Sequence, residues 1–252
     1  MTFCALGKSG REYYDALALY MKYILYLGVR AQEAYPEIEP TADDLSLTAE
    51  LGLKDPAPMV AVLGVTHERI AELVEATNAN LPADKQIYMS LYNSPVNRIL
   101  SSHRSSLLNF YKQHKATLEA EQVKFVFLRT TCPFHSPLME GAVAPFEEDR
   151  KRIGFDFKAS ELKIPVYSFA DGKDYRDLAD LCKTMTYDLL VSTLYWEKAL
   201  TPLKTLKPTH IVDFGPGKTS QRLTSDTLTG FSLDIPILGM ANAKEMKSFT
   251  EA

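Results

Sequence analysis

The 252 residues contain three cysteines, Cys4, Cys132 and Cys182, each standing alone in its stretch of chain. Single cysteines form neither a disulfide framework nor a zinc-ligand pattern, and they suit a reducing compartment. Positive charge is not in excess. The formal net charge is −4, which gives no electrostatic case for nucleic acid as the main partner. No apolar run reaches the roughly 20 residues that a membrane helix needs. The opening "MTFCALGKSGREYY" lacks the charged-then-apolar order of a signal peptide. There is no internal repeat and no low-complexity tract. With 46% hydrophobic and 24% charged residues, the chain can bury a real core. These absences together predict a soluble cytoplasmic protein without metal.

The elements are read from periodicity. Long apolar side chains recur from Gly10 to Ala34, and their spread around the helix predicts a buried one. Residues 35–58, acidic and broken by prolines, read as a surface loop. The clearest pattern follows. "MVAVLGV" reads as a strand, Thr66 as the cap of "HERIAELVEATN", "QIYMSLYN" and "RILSS" as strands around a "SPVN" turn, "SLLNFYKQHKATLEA" as a helix and "KFVFLR" as a strand. The order β-α-β-β-α-β is that of the ferredoxin-like split βαβ unit. Beyond it the reading is a helix near 137–152, a strand "IPVYSF" and helices over 175–191 and 196–206. Strands "THIVDFG" and "IPILGM" then flank a further helix, as in an α/β layer around a parallel sheet. The first strands of that sheet would lie before residue 10, so this lobe reads as incomplete.

Three stretches invite chemistry. In "TTCPFHSPLME", Pro133 and Pro137 bracket His135 at the junction of the two patterns. Histidine is the commonest general base at neutral pH, although an isolated one in such a loop is more often structural. Phe134 is the natural core anchor of this loop. Cys132 and His135 are badly placed to act as a thiol–base pair. "DFGPGKTS" looks like a phosphate loop, but the glycine a Walker motif requires five residues before Gly217 is Val212, so only a helix start able to meet an anion remains. Arg30 ends an apolar helix. It reads either as a bond to helix-end carbonyls or as a fixed cation for a carboxylate or phosphate.

"LYLGVRAQEAYP", "TTCPFHSPLME", "IPVYSFADGKDYRDL" and "THIVDFGPGKTS" resemble the acyltransferase, or starter acetyl transferase, domain of the fungal-type fatty acid synthase beta subunit. "LYNSPVNRILSS" is similar to the Asn-centred stretch of the wider malonyl/acyl-CoA:carrier-protein transacylase group. The resemblance runs from about residue 17 to residue 230. It implies an α/β fold, a partial α/β hydrolase-like lobe (1–56 and 131–252) with an inserted ferredoxin-like subdomain (57–130). It also implies ping-pong transfer from acyl-CoA, through a serine, to the phosphopantetheine thiol of an acyl carrier protein, with no bound cofactor. By the same resemblance, His135 is the base, the Tyr195 carbonyl orients its ring, and Arg30 and Asn93 bind substrate. The expected partners are the carrier protein or other synthase segments.

The family's Gly-x-Ser-x-Gly elbow is missing. Ser9, in "ALGKSGREYY", is the only serine before Arg30, and it has neither a preceding strand nor a glycine two residues later. Two expectations follow. Either the chain is a truncated or split acyltransferase whose serine comes from an upstream or partner segment, or it is a non-catalytic homologue that binds acyl groups or scaffolds a synthase.

Overall fold

The computed structural model describes residues 2–215 and 217–240. A short helix α1 (Thr2–Ala5) leads into α2 (Gly10–Ala34), followed by α3 (Ala42–Leu51). Then come β1 (Met59–Leu63), α4 (His67–Asn78), β2 (Tyr88–Ser94), β3 (Asn97–Ser101), α5 (Arg104–Ala120) and β4 (Lys124–Phe127). The second half holds α6 (Glu140–Arg152), α7 (Leu181–Leu190), β5 (Leu194–Tyr195), α8 (Trp196–Leu200), α9 (Leu203–Leu206), β6 (Ile211–Asp213), α10 (Thr219–Gly230) and β7 (Ile237–Gly239).

The larger sheet has the order β4-β1-β3-β2-β5. Its first four strands pair antiparallel, in a β-α-β-β-α-β chain order. Successive side chains in a strand point to opposite faces, and both faces of β1 are covered. Val60 and Val62 join Leu100, Phe125 and Phe127 against Ile70, Leu73 and Val74 of α4 and Leu107, Phe110 and Leu118 of α5. Met59 and Ala61 turn the other way with Ile99, and Phe134 packs onto them. This two-sided burial is why "MVAVL" is apolar without alternation. Thr66 Oγ1 caps α4 by accepting from the Arg69 N–H at 3.4 Å.

β5 enters this sheet from after His135 and pairs parallel with β2, Leu194 opposite Leu91 and Tyr195 opposite Tyr92. β6 and β7 form a separate parallel pair. The second core is built by Tyr23 of α2 between Phe146, with ring centroids 4.9 Å apart, and Phe155, stacked at 4.1 Å.

Four readings are corrected. Residues 35–58 are not a loop throughout. Thr41 Oγ1 accepts from the Asp44 N–H at 3.1 Å and Asp44 Oδ2 accepts from the Thr41 N–H at 3.0 Å, a capping box that starts α3. Gly52, at φ 73°, ends that helix in a conformation glycine adopts without steric penalty. α2 is not buried all round, since Tyr14, Met21 and Leu25 are at least 60% exposed. "IPVYSF" forms no named strand; Tyr167 makes only an isolated bridge with Asp174. The 196–206 helix is split into α8 and α9, with Pro202 standing between them.

Candidate functional site

The site is built where the loop after β4 meets the end of α7. A helix leaves its last carbonyls without intrahelical donors. Here one residue meets two of them. The His135 N–H donates to Leu190 O at 2.8 Å, and its ring Nδ1 lies 3.1 Å from Asp188 O and 3.2 Å from Ser192 O. Carbonyls only accept, so Nδ1 carries the proton and Nε2 is left as the unprotonated ring nitrogen. His135 has φ 58°, left-handed backbone that a non-glycine residue rarely adopts, and both flanks hold it there. Ser136 Oγ donates to Pro133 O at 2.5 Å and closes the turn. On the sheet side, Ser101 Oγ donates to Phe134 O at 2.9 Å and also contacts Ser90 Oγ at 2.9 Å.

Burial pushes the His135 imidazolium below its usual range; the Ser192 and Asp188 carbonyls pull it up, but by less. The ring is therefore neutral at pH 7 and able to take a proton at Nε2. Beneath it, Asp188 is buried and accepts from Tyr175 OH at 2.9 Å, Ser168 Oγ at 3.1 Å and Ser192 Oγ at 2.9 Å. The carboxylate thus fixes the segment whose carbonyls hold the imidazole.

The structure moves one assignment made from resemblance to other residues. The carbonyls that meet the ring belong to Asp188 and Ser192 and not to Tyr195. The backbone of Tyr195 is committed to β5, and its N–H donates to Phe169 O at 2.7 Å.

Arg30 is not free for a substrate carboxylate. Its Nε lies 2.6 Å from Asp149 Oδ2 and its Nη1 2.6 Å from Glu33 Oε2, and Asp149 is shared with Arg152. The two arginines hold the Asp149 carboxyl below its usual range.

Ser9 cannot serve His135. It is the exposed N-cap of α2, preceded by a helix and not by a strand, and its side chain makes no capping bond. The loop of His135 touches the other end of α2, where Cys132 Sγ meets Gln32 Oε1 at 3.7 Å. Ser9 and Gln32 are separated by about 35 Å of helix at roughly 1.5 Å per residue. The three residues from Cys132 to His135 recover at most about 11 Å of that.

Asn93 and Tyr195 do come together, but in a different place. They line a cleft of about 660 Å³ between β2, the start of α4, α8 and α10. Asn93 Nδ2 lies 3.4 Å from Asn97 Oδ1.

Two donors of the glycine-rich turn are met by the chain itself. Asp213 Oδ1 accepts from the Gly215 N–H at 2.6 Å, and Oδ2 accepts from Ser220 Oγ at 2.5 Å. Pro216 of that motif lies outside the described residues. Cys132 is buried, and burial pushes its thiol up, away from the thiolate a nucleophile needs. Among the described residues there is no group of three or more His, Cys, Asp or Glu side chains able to hold a metal ion. Within the same residues, no helix is long and apolar enough to cross a membrane.

No family model matches the chain. It is 32% identical over 214 residues, 78% of its length, to the fatty acid synthase subunit beta of Saccharomyces cerevisiae. Over 211 residues it is 30% identical to that of Schizosaccharomyces pombe. In both comparisons it spans 10% of the relative. Its fold is that of the malonyl-CoA:acyl carrier protein transacylases. The enzyme from Coxiella burnetii superposes with TM-score 0.69 at 18% identity, covering 99% of this chain and 66% of that one. A malonyl-transacylase in complex with a type II PKS acyl-carrier protein superposes with TM-score 0.62 at 16% identity, over 82% of this chain and 62% of its own.

Proposed function

We propose that these residues form the base-bearing part of an acyl-CoA:acyl-carrier-protein acyltransferase of the fatty acid synthase beta type. The observation that carries this is His135, whose ring proton is held on Nδ1 by two main-chain carbonyls while Nε2 meets no partner among the described residues. Similarity to the fungal beta subunits and the transacylase fold support the same reading.

A serine hydroxyl is a weak nucleophile until a base takes its proton. In this proposal the serine lies on a Gly-x-Ser-x-Gly elbow outside these 252 residues, upstream or on a partner segment. His135 Nε2 accepts the hydroxyl proton as Oγ attacks the thioester carbonyl carbon. The carbon–sulfur bond breaks, and the imidazolium returns the proton to the departing coenzyme A thiolate. A phosphopantetheine thiol of a carrier protein then attacks the acyl-serine, and the same nitrogen relays the proton back to Oγ. No bound cofactor is needed. The preferred acyl group is uncharged, acetyl before malonyl, because Arg30 is committed to Asp149 and Glu33. The architecture proposed is a partial α/β hydrolase-like lobe, residues 1–56 and 131–252, carrying a ferredoxin-like insertion at 57–130. That Val60, Ile70, Leu107 and Phe125 share one apolar cluster and Tyr23, Cys132 and Phe146 another supports that division. The compartment proposed is the cytoplasm.

The test is transfer of labelled acetyl or malonyl from coenzyme A to a carrier protein. The chain alone shows little or none. Transfer is restored when an upstream segment carrying the elbow is supplied, fused or in trans, and it is lost again in His135→Ala. A second reading, a non-catalytic acyl-binding or scaffolding subunit, is favoured by the position of Ser9. It is the one that survives if no supplied elbow restores transfer.

A further inference from the structure

Helix α2 carries two apolar faces, and among the described residues only one is covered. On the inner face Tyr23 and Ala31 are fully buried, Tyr23 between Phe146 and Phe155. On the opposite face Tyr14, Ala18, Met21, Leu25 and Val29 recur every third or fourth residue, a spacing that stacks them along one side of a helix. All five are exposed, Leu25 by 65%. The row runs for about 22 Å at roughly 1.5 Å per residue. By the same spacing Asp15 and Lys22 fall on its flank, so no charge interrupts it. A helix at the surface of a finished fold turns a polar face to water, whereas one that is apolar on both faces is suited to being covered on both.

We propose that this row is the docking surface for a strand-bearing segment of a synthase chain, the same segment that carries the elbow in the reading above, on which this inference rests. Three observations choose this occupant. First, the row leads to the base. One turn beyond Val29 on the same face stands Gln32, whose Oε1 meets Cys132 Sγ at 3.7 Å, three residues before His135. A segment lying along the row therefore ends beside the loop that holds the imidazole. Second, the lobe is short of strands. β6 and β7 are a parallel pair of three residues each, and among the described residues β6 is paired along one edge only. Parallel sheets are built with more strands than two and with both faces covered, yet Ile211 and Val212 remain half-buried. Third, the shared fold is larger than these residues. The Coxiella burnetii transacylase aligns with 99% of this chain, while this chain covers 66% of that one.

Other occupants fit less well. A second copy of the chain would set α2 against α2 and leave the open edge of β6 unpaired. A membrane surface would leave it unpaired too, and an interfacial helix is flanked by cations. The charges beside this row are mixed, with Arg11 bonded to Asp15 at 3.0 Å. An apolar row and an open strand edge together suit a partner that brings both apolar side chains and strands.

The experiment joins to the N-terminus of the full chain the stretch of the Saccharomyces cerevisiae fatty acid synthase subunit beta that immediately precedes its 214-residue match, and reads labelling by N-ethylmaleimide. Leu25→Cys is made together with Cys4→Ser, because Cys4 is exposed whereas Cys132 and Cys182 are buried. The new thiol labels fast in the chain alone. In the fusion it labels at least about tenfold more slowly, since a thiol under a docked segment reacts only through local opening. Leu45→Cys, on α3 and 51% exposed, labels at one rate in both proteins. Met21→Glu, which puts a charge in the middle of the row, restores fast labelling of Leu25→Cys in the fusion. Circular dichroism checks the fold of each variant. An unchanged rate at Leu25→Cys in the fusion, equal slowing at Leu45→Cys, or no effect of Met21→Glu overturns the proposal. So does protection in the chain alone that grows with its concentration, which assigns the row to a second copy. The reading beneath fails separately. A protected row without acyl transfer by the fusion removes the chemistry and keeps the surface, and transfer with an unprotected row does the reverse.

Discussion

His135 and Asp188 are joined through a single main-chain carbonyl, which accepts from the imidazole at 3.1 Å while the carboxylate of the same aspartate holds the hydroxyls of Tyr175, Ser168 and Ser192. The aspartate does not touch the ring with its side chain. It fixes the peptide that does. The ring is thereby held in one tautomer by groups that no substitution of a neighbouring side chain removes directly.

The titration of His135 carries a sign that can be checked. Burial lowers its folded-state pKa below the unfolded value of about 6.5. In that window the unfolded chain binds more protons, so stability rises with pH. The contribution is fully present above about pH 6.5 and is lost as pH falls through the folded pKa. Urea midpoints measured from pH 8 to pH 5 show this fall, and His135→Gln flattens that part of the curve.

Thr41→Ala removes one half of the capping box and costs about 1 kcal/mol. Chemical denaturation reads this directly. Thr41→Ser, which keeps the hydroxyl, recovers most of it.

Arg30 and Asp149 bind α2 to α6. Arg30→Ala and Asp149→Ala each lower the thermal midpoint, and the double variant lowers it by less than the sum of the two, as for groups that act on one another. The Asp149 carboxyl is held below its usual range. Its stabilisation is present above about pH 4, the unfolded value, and is lost as pH falls through the lower folded value. Phosphate, titrated against wild type and Arg30→Ala, gives no difference if Arg30 is structural.

Ser9→Ala leaves any transfer restored by an added elbow segment unchanged, because Ser9 sits at the far end of α2 from the Cys132–Gln32 contact. A loss of more than about tenfold, more than 1.4 kcal/mol in barrier, overturns the placement of Ser9.

Phe146→Ala opens a cavity beside Tyr23, where both rings are fully buried, and destabilises by about 3–5 kcal/mol. The midpoint in urea measures it.

The elements between Met59 and Phe127 were legible because their signals are local. Short apolar runs, a threonine cap and the "SPVN" turn each act within a few residues. The helix at 42–51 carried a local signal too, Thr41 with Asp44 three residues on, but prolines at 36, 40, 56 and 58 and a run of acids argued for loop. β5 has two residues, and it is a strand only because β2 lies beside it. The His135 position was legible in its bracketing prolines, whereas its orienting groups were not, since a carbonyl belongs to every residue and the sequence cannot say which one points at the ring. The pairing of Arg30 with Asp149 was not legible, because that partner lies 119 residues away, on α6.

β5 has a mechanical consequence. It comes after His135 in the chain, yet its hydrogen bonds are to β2 on the near side of that histidine. Separating the β1–β4 sheet from the rest of the molecule would mean unzipping a parallel ladder as well as parting two apolar surfaces. The junction is therefore held by backbone hydrogen bonds as well as by side-chain packing. The ladder joins Leu91 and Tyr92 to Leu194 and Tyr195, and Leu194 is two residues from Ser192, whose carbonyl meets the imidazole.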